Sequence, residues 1–258
     1  MALGLEYDGR AFCGWQSQPG GCGAQDALEL ALARMAGHPV RVSAAGRTDA
    51  GVHAMSQVVH FDTATIRPQS AWVRGVNAFL PASLRVQWAQ AVDADFHARF
   101  SAERRSYQYW LQVSSVAPAV LAGKVGWYHR SLDIDAMRAA AAMLLGEHDF
   151  SAFRAAECQA KSPIKTLYQA DIRQHGDFVL FEFRANAFLH HMVRNLVGSL
   201  VYVGNGNFPP SWMGELLLQR DRKRAAPTFM PDGLYLTGVH YDPRWGLPVC
   251  SHGLSLLE

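Results

Sequence analysis

The stretch Gly46-Arg47-Thr48-Asp49-Ala50-Gly51-Val52-His53 decides the fold through what flanks it. Val40–Ala44 before it and Gln57–Phe61 after it alternate with a period of two, so the octapeptide reads as a loop between two strands. Its two glycines allow turns that other residues resist. That sets a carboxylate and a guanidinium at the mouth of a sheet. Taken alone, an aspartate between glycines is a turn former. Arg47, two residues before Asp49, is expected on the opposite side of the segment.

Outward from this loop, Leu3–Tyr7 reads as a first strand ending in the turn signal Asp8-Gly9. Ala24–Ala36 carries Leu28, Ala31, Leu32 and Met35 at helical spacing, with Gly37 as the stop. Ser70–Phe79 predicts a short helix and Leu84–Val92 a strand. The second half repeats the theme. Ser106–Val113 is a strand, and Asp133–Leu145 a helix with Met137, Ala140, Ala141 and Leu144 on one face. Leu167–Gln174 and Phe178–Asn186 form a hairpin across His175-Gly176-Asp177. His190–Val203 reads as an amphipathic helix with Val193, Leu196, Val197, Leu200 and Val201 inward, and Leu234–Tyr241 closes the chain's regular structure. Two such sets predict two α+β halves, 1–100 and 101–258.

A chain of 258 residues allows one large domain or two modest ones. With 49% hydrophobic and 18% charged residues, global disorder is excluded. A net charge of +2 excludes a polybasic protein, yet the cations are 20 Arg against 4 Lys. Arginine's planar fork pairs with phosphate and stacks on bases, although a GC-rich genome yields the same bias. Cys13, Cys22, Cys158 and Cys250 form no C-x-x-C pair, so neither a zinc ribbon nor a disulfide framework is expected. No basic and apolar leader and no run of about 18 apolar residues occurs. The expectation is a soluble, reduced, cytoplasmic protein. Among His53, His60, His97, His190 and His191, the adjacent pair His190-His191 projects about 100° apart on a helix. That chelates one ion poorly, and no metal is expected. The segment Gln219–Arg224 reads as a solvated helix end.

Six stretches carry a family pattern in order. They are Tyr7-Asp8-Gly9 with Phe12, Gly14-Trp15-Gln16 and Gln18; the loop at 46–53; Phe96-His97-Ala98-Arg99-Phe100-Ser101-Ala102 with Tyr107-Gln108-Tyr109; Asp149-Phe150-Ser151-Ala152-Phe153-Arg154; Asn186 to Asn195 with Gly198; and Gly233-Leu234-Tyr235-Leu236. Together they resemble the tRNA pseudouridine synthase A family over nearly the whole chain. Thr228-Phe229-Met230-Pro231-Asp232 departs from the pattern.

The resemblance implies two ferredoxin-like-related α+β halves forming a continuous, mainly antiparallel sheet with helices on one face. It implies isomerisation of uridines at positions 38, 39 and 40 of the tRNA anticodon stem-loop, without cofactor or metal. Asp49 is implied as the nucleophile, Arg47 as the base-flipping residue and Arg194 as the carboxylate's partner. Tyr107 packs on the uracil, with a proton-handling role for its hydroxyl, and Leu234 forms an apolar wall. Arg67, Phe96, His97, Ala98, Arg99 and Phe100, and the segment Glu157-Cys158-Gln159-Ala160-Lys161, are implied in binding RNA. Arg10, Arg104, Arg105, Arg154 and the Arg220–Arg224 cluster are further positive charge. The partners implied are tRNA and a second copy of the chain, one tRNA bridging both, with neither DNA nor a membrane.

These residue types suit that chemistry. A stacked uridine must be flipped into a pocket at a cost of a few kcal/mol. An ionised carboxylate can attack, or stabilise a cationic sugar, and a nearby guanidinium keeps it ionised. Attack on the ribose, attack on the base and proton removal are all open to Asp49. A non-catalytic RNA-binding module is the alternative, but it does not need the carboxylate. A base hydrolase needs a second carboxylate or an activated water, which the loop does not supply.

Overall fold

The computed structural model describes residues 1–248. In chain order they form β1 (Ala2–Tyr7), α1 (Ala24–Ala36), β2 (Ser43–Ala44), β3 (His53–His60), α2 (Gln69–Phe79), β4 (Leu84–Gln90), β5 (Ala102–Val113), β6 (Gly126–Tyr128) and α3 (Ile134–Ala142). Then follow β7 (Gly146–Asp149), β8 (Ile164–His175), β9 (Phe178–Ala185), α4 (Met192–Gly204), α5 (Trp212–Gln219) and β10 (Leu234–Tyr241). The chain divides into two compact units, 1–103 with 235–248, and 104–234. Each is α+β, as expected.

In unit 1 the strand order is β4-β1-β3-β10, with β2 also paired to β3. β1 is antiparallel to both β3 and β4, whereas β10 runs parallel to β3 through Tyr235↔His53 and Leu236↔Ala54. β1 is covered on both faces, Ala2 packing with Phe96, Ala98 and Trp245, so Ala2, Leu3 and Leu5 are all buried rather than alternating. α1 buries Leu28, Ala31 and Leu32 and ends on Gly37 in the left-handed conformation, φ 77°. At its start the Asp26 carboxylate accepts from the Gly23 N–H at 2.9 Å. A second cluster joins Phe96, Ala98 and Trp245 to Ala2, Ala45 and Val58.

In unit 2 the order is β5-β9-β8-β7, antiparallel throughout, with β6 parallel to β5. β9 alternates cleanly, burying Val179, Phe181, Phe183 and Ala185. α3 packs on α4 and on β8. Eleven of the thirteen residues of α4 are buried. It is a core helix rather than the amphipathic surface helix expected, because packing surrounds it on nearly every side.

Other expectations are also corrected. β2 keeps only two residues, since Val40 and Val42 are buried without joining the ladder. β3 starts at His53, so the central loop is shorter than the alternation implied. β6, β7 and α5 were not anticipated. Gly146-Glu147-His148-Asp149 has no apolar alternation, and Trp212–Gln219 is only eight residues long. α4 begins after His191, whose φ is 62°, so the two histidines lack the helical separation assigned to them; their rings lie 4.0 Å apart. Cys13 and Cys22 are joined as a disulfide across nine positions, with Cα atoms 5.4 Å apart, because the segment between them doubles back. Cys158 is free, and Cys250 lies outside the described residues. No described helix is long and apolar enough to cross a membrane.

Candidate active site

The loop ahead of β3 is fastened residue by residue within unit 1. Gln57, wholly buried on β3, donates its amide to the Gly46 carbonyl at 2.7 Å. The Thr48 hydroxyl, in a residue 7% exposed, lies 2.7 Å from the Tyr7 phenol oxygen. The Trp15 N–H donates to the Thr48 carbonyl at 2.9 Å, and the Val52 N–H to the Asp49 carbonyl at 3.1 Å. Gly14 sits at φ 92°, where a Cβ would come within 3.0 Å of the Thr48 carbonyl oxygen and 3.2 Å of the Ala50 nitrogen. Only glycine takes both that conformation and that approach at no cost. Burial pushes the Tyr7 phenol up to about 12, against the opposing hydrogen bonds from Thr48 and Gln57. It stays protonated at any working pH.

Around this anchor, Arg47 is exposed, Thr48 buried and Asp49 half-buried. Residues two apart in an extended segment share a side, so Arg47 and Asp49 both lie toward solvent and Thr48 toward the core. That corrects the expectation of opposite sides. His53, at the start of β3, accepts from the Gly9 N–H through Nδ1 at 3.1 Å. Its ring stacks on Tyr235 of β10 at 4.6 Å, with planes 17° apart. The loop's far end is thereby tied to two strands.

Tyr107, Arg194 and Leu234 belong to unit 2. Tyr107 lies on the buried face of β5, edge-on to Phe188 at 5.1 Å. Arg194 is in the first turns of α4, and its Nε donates to the Phe229 carbonyl at 2.8 Å. Leu234 is buried. Beside Arg194, the wholly buried Asn195 is a hub that the sequence did not announce. Its Nδ2 donates to the Phe153 carbonyl at 2.8 Å, and its Oδ1 accepts from Thr228 at 2.8 Å and from Arg222 at 3.0 Å. These bonds tie Arg222, Thr228 and Phe153 to the start of α4. Thr48, Tyr7 and Gln57 were likewise missed as supports. Thr48 and Tyr7 were quoted inside motifs, but nothing in spacing says that their oxygens meet.

The RNA-binding candidates separate by exposure. Arg67 and Arg99 are exposed, and Phe100 is 77% exposed with the Arg99 guanidinium 5.7 Å from its ring centre. His97 accepts through Nδ1 from the Arg99 N–H at 3.1 Å and the Phe100 N–H at 3.3 Å, fixing that turn. Phe96 and Ala98 are core residues packed with Trp245, so their side chains are unavailable to RNA. Glu157, Gln159 and Lys161 are exposed, whereas Cys158 is buried. Arg154 does not face solvent as a spare cation. It donates to the carbonyls of Cys158 at 2.5 Å and Ala160 at 3.1 Å, and so shapes the segment. Burial disfavours the Cys158 thiolate, but the N–H groups of Ala160 and His190 and the charge of Arg154 outweigh it and lower the thiol's pKa. Arg105 is spent on the Asn186 carbonyl at 2.9 Å. Arg222 turns inward to the Ala226 carbonyl at 2.8 Å, so the Gln219–Arg224 segment is not simply a solvated end. Arg220 faces Asp149 at 3.5 Å.

The sequence profile described as tRNA pseudouridine synthase matches residues 5–101 and 140–242. The chain belongs to this family. Curated relatives agree over nearly their full length. A tRNA pseudouridine synthase A of Methylobacillus flagellatus is 65% identical over 256 residues, covering 99% of this chain and 98% of the relative. One from Paraburkholderia xenovorans is 58% identical, covering 98% and 94%, and one from Thiobacillus denitrificans is 59% identical, covering 97% and 96%. The pseudouridine synthase family thus spans both units, including the loop at Asp49 and the start of α4.

Proposed function

We propose that this protein is a tRNA pseudouridine synthase that isomerises uridines at positions 38, 39 and 40 of the anticodon stem-loop. In the reaction C1′–N1 breaks, the uracil turns, C1′–C5 forms, the C5 proton leaves and N1 gains one. Atoms and electrons balance within the substrate, so no cofactor is called for. Asp49 is the catalytic carboxylate. Arg47 enters the stack vacated by the flipped uridine, a step that costs a few kcal/mol and must be offset by such contacts. Arg194 is the cationic partner of the carboxylate. Tyr107 packs on the uracil and Leu234 closes the pocket wall.

Arg67, His97, Arg99, Phe100, Glu157, Gln159 and Lys161 contact the tRNA. Phosphate contacts position the RNA without reading its sequence, and the exposed Phe100 offers a stacking face. The protein acts in the cytoplasm as a homodimer with one tRNA across both copies.

The observation that carries this reading is the fastening of the Asp49 loop. The Gln57 side chain and two main-chain donors pin its backbone, and the Tyr7 phenol holds its Thr48 hydroxyl, while Asp49 itself stays half-exposed. A turn-forming aspartate needs no such support. The test is incubation with unmodified tRNA followed by mapping of the isomerised uridines. Wild type is expected to modify 38–40, and Asp49→Asn to bind tRNA with unchanged affinity and form no pseudouridine. Turnover by a clean Asp49→Asn preparation would end the assignment.

A further inference from the structure

We propose that Thr48, held by the buried Tyr7 phenol, is the positioning residue that aims the Asp49 carboxylate at its target. The proposal deepens the reading above, since it rests on Asp49 being the catalytic group.

Thr48 is the residue whose side chain goes down where its neighbours go up. Its hydroxyl meets the Tyr7 oxygen at 2.7 Å, and its carbonyl takes the Trp15 N–H at 2.9 Å. Side chain and carbonyl of one residue are therefore both bound, which fixes the peptide that leads into Asp49. Tyr7 is itself immobile. It ends the central strand β1, is 5% exposed, and packs against Phe12 edge-on and Trp15 at 5.8 Å. Gln57 closes the set, its amide reaching the Gly46 carbonyl at 2.7 Å and the Tyr7 oxygen at 3.5 Å.

The two loop-directed side-chain bonds differ in what they control. Gln57 acts three residues ahead of Asp49, at the loop's entry. Thr48 acts on the adjoining peptide, where a small rotation swings the carboxylate directly. The remaining fasteners at Trp15 and Val52 keep the loop folded when the hydroxyl is lost, so the fold survives while the aim does not. A misplacement of about 1 Å costs about 100-fold in rate.

A structural role and a positioning role differ most clearly in the double variant. Thr48→Val leaves the buried Tyr7 phenol with only the longer Gln57 contact at 3.5 Å, and Tyr7→Phe takes the phenol partner from the Thr48 hydroxyl. Removing both partners together spares that desolvation penalty. Thr48→Val/Tyr7→Phe is therefore expected to recover thermal stability relative to either single variant, yet to stay slow because the anchor is gone.

The experiment measures single-turnover pseudouridine formation at saturating unmodified tRNA, tRNA affinity and melting temperature, with Asp49→Asn alongside. Thr48→Val and Tyr7→Phe are each expected to lose about 10–100-fold in rate with unchanged affinity. Thr48→Ser, which keeps the hydroxyl, should restore most of the rate. Wild-type rates in both single variants would overturn the proposal, as would rates that follow melting temperature so that the double variant regains both. An inactive Asp49→Asn beside such a result would leave the catalytic assignment standing. A turning-over Asp49→Asn would instead remove the catalytic reading itself.

Discussion

The loop at 46–52 and the segment at 157–161, both proposed above to meet the tRNA, are built in opposite ways. Beneath Asp49, buried side chains reach up from strands β1 and β3 to hold the Gly46 carbonyl and the Thr48 hydroxyl. At 157–161 the segment turns two of its carbonyls onto one guanidinium, that of Arg154, and its Cys158 sulfur accepts from the His190 N–H at 3.4 Å. The first arrangement fixes the direction of the loop. The second fixes only a shape, which suffices for placing exposed side chains against phosphates. The difference teaches that a reacting group needs support from a rigid sheet, while a gripping group does not.

The comparison breaks most visibly at Gly14. Gly14→Ala forces a side chain into left-handed backbone and against the Thr48 carbonyl, 3.0 Å away. A single-turnover loss of about 10–100-fold is expected, together with a lower melting temperature. Gly37→Ala is the matched control: φ is 77° there, but its Cβ meets nothing within 4 Å. It should cost stability without slowing the reaction, and equal rate losses in both would show that strain alone is responsible.

Arg154→Gln tests the other side. Loss of the guanidinium loosens 157–161, so tRNA affinity should fall about tenfold, or about 1.4 kcal/mol, while the saturated single-turnover rate holds. A rate loss at saturation would erase the distinction between the two segments.

The smallest expected effect is at the turn that carries Arg99 and Phe100. His60 accepts there from the Ala98 N–H at 3.1 Å, and burial, with His97 adjacent, lowers its pKa. The folded form thus resists protonation more than the unfolded chain, whose histidine titrates near about 6.5. Stability is complete above that pH and declines as pH falls below it. Melting curves between about pH 5 and 7 should show this slope, and His60→Gln should flatten it.

Much of the fold was legible because its signals are local. Helix α1 and strand β10 have the predicted limits, since a glycine bounds each, Gly37 after the helix and Gly233 before the strand. The elements missed are those with weak local signals, such as the polar β7, or those made by tertiary contact, such as the three-residue β6. Asp49 and Arg47 could be picked out as candidates because a motif marks them. Tyr7 and Thr48, 41 positions apart, could not be paired, because only the antiparallel register of β1 on β3 brings their ends together. The Cys13–Cys22 bond escaped for the same reason, since spacing alone does not disclose a doubled-back chain.

Strand β3, which leads out of the Asp49 loop, finds its parallel neighbour β10 more than 180 residues downstream, where Tyr235 comes to lie on His53. During synthesis on the ribosome, every residue of the second unit emerges before that partner does. That edge of β3 therefore stays open until β10 has been made, so the sheet that carries the loop is completed only after the whole of the second unit has been synthesised.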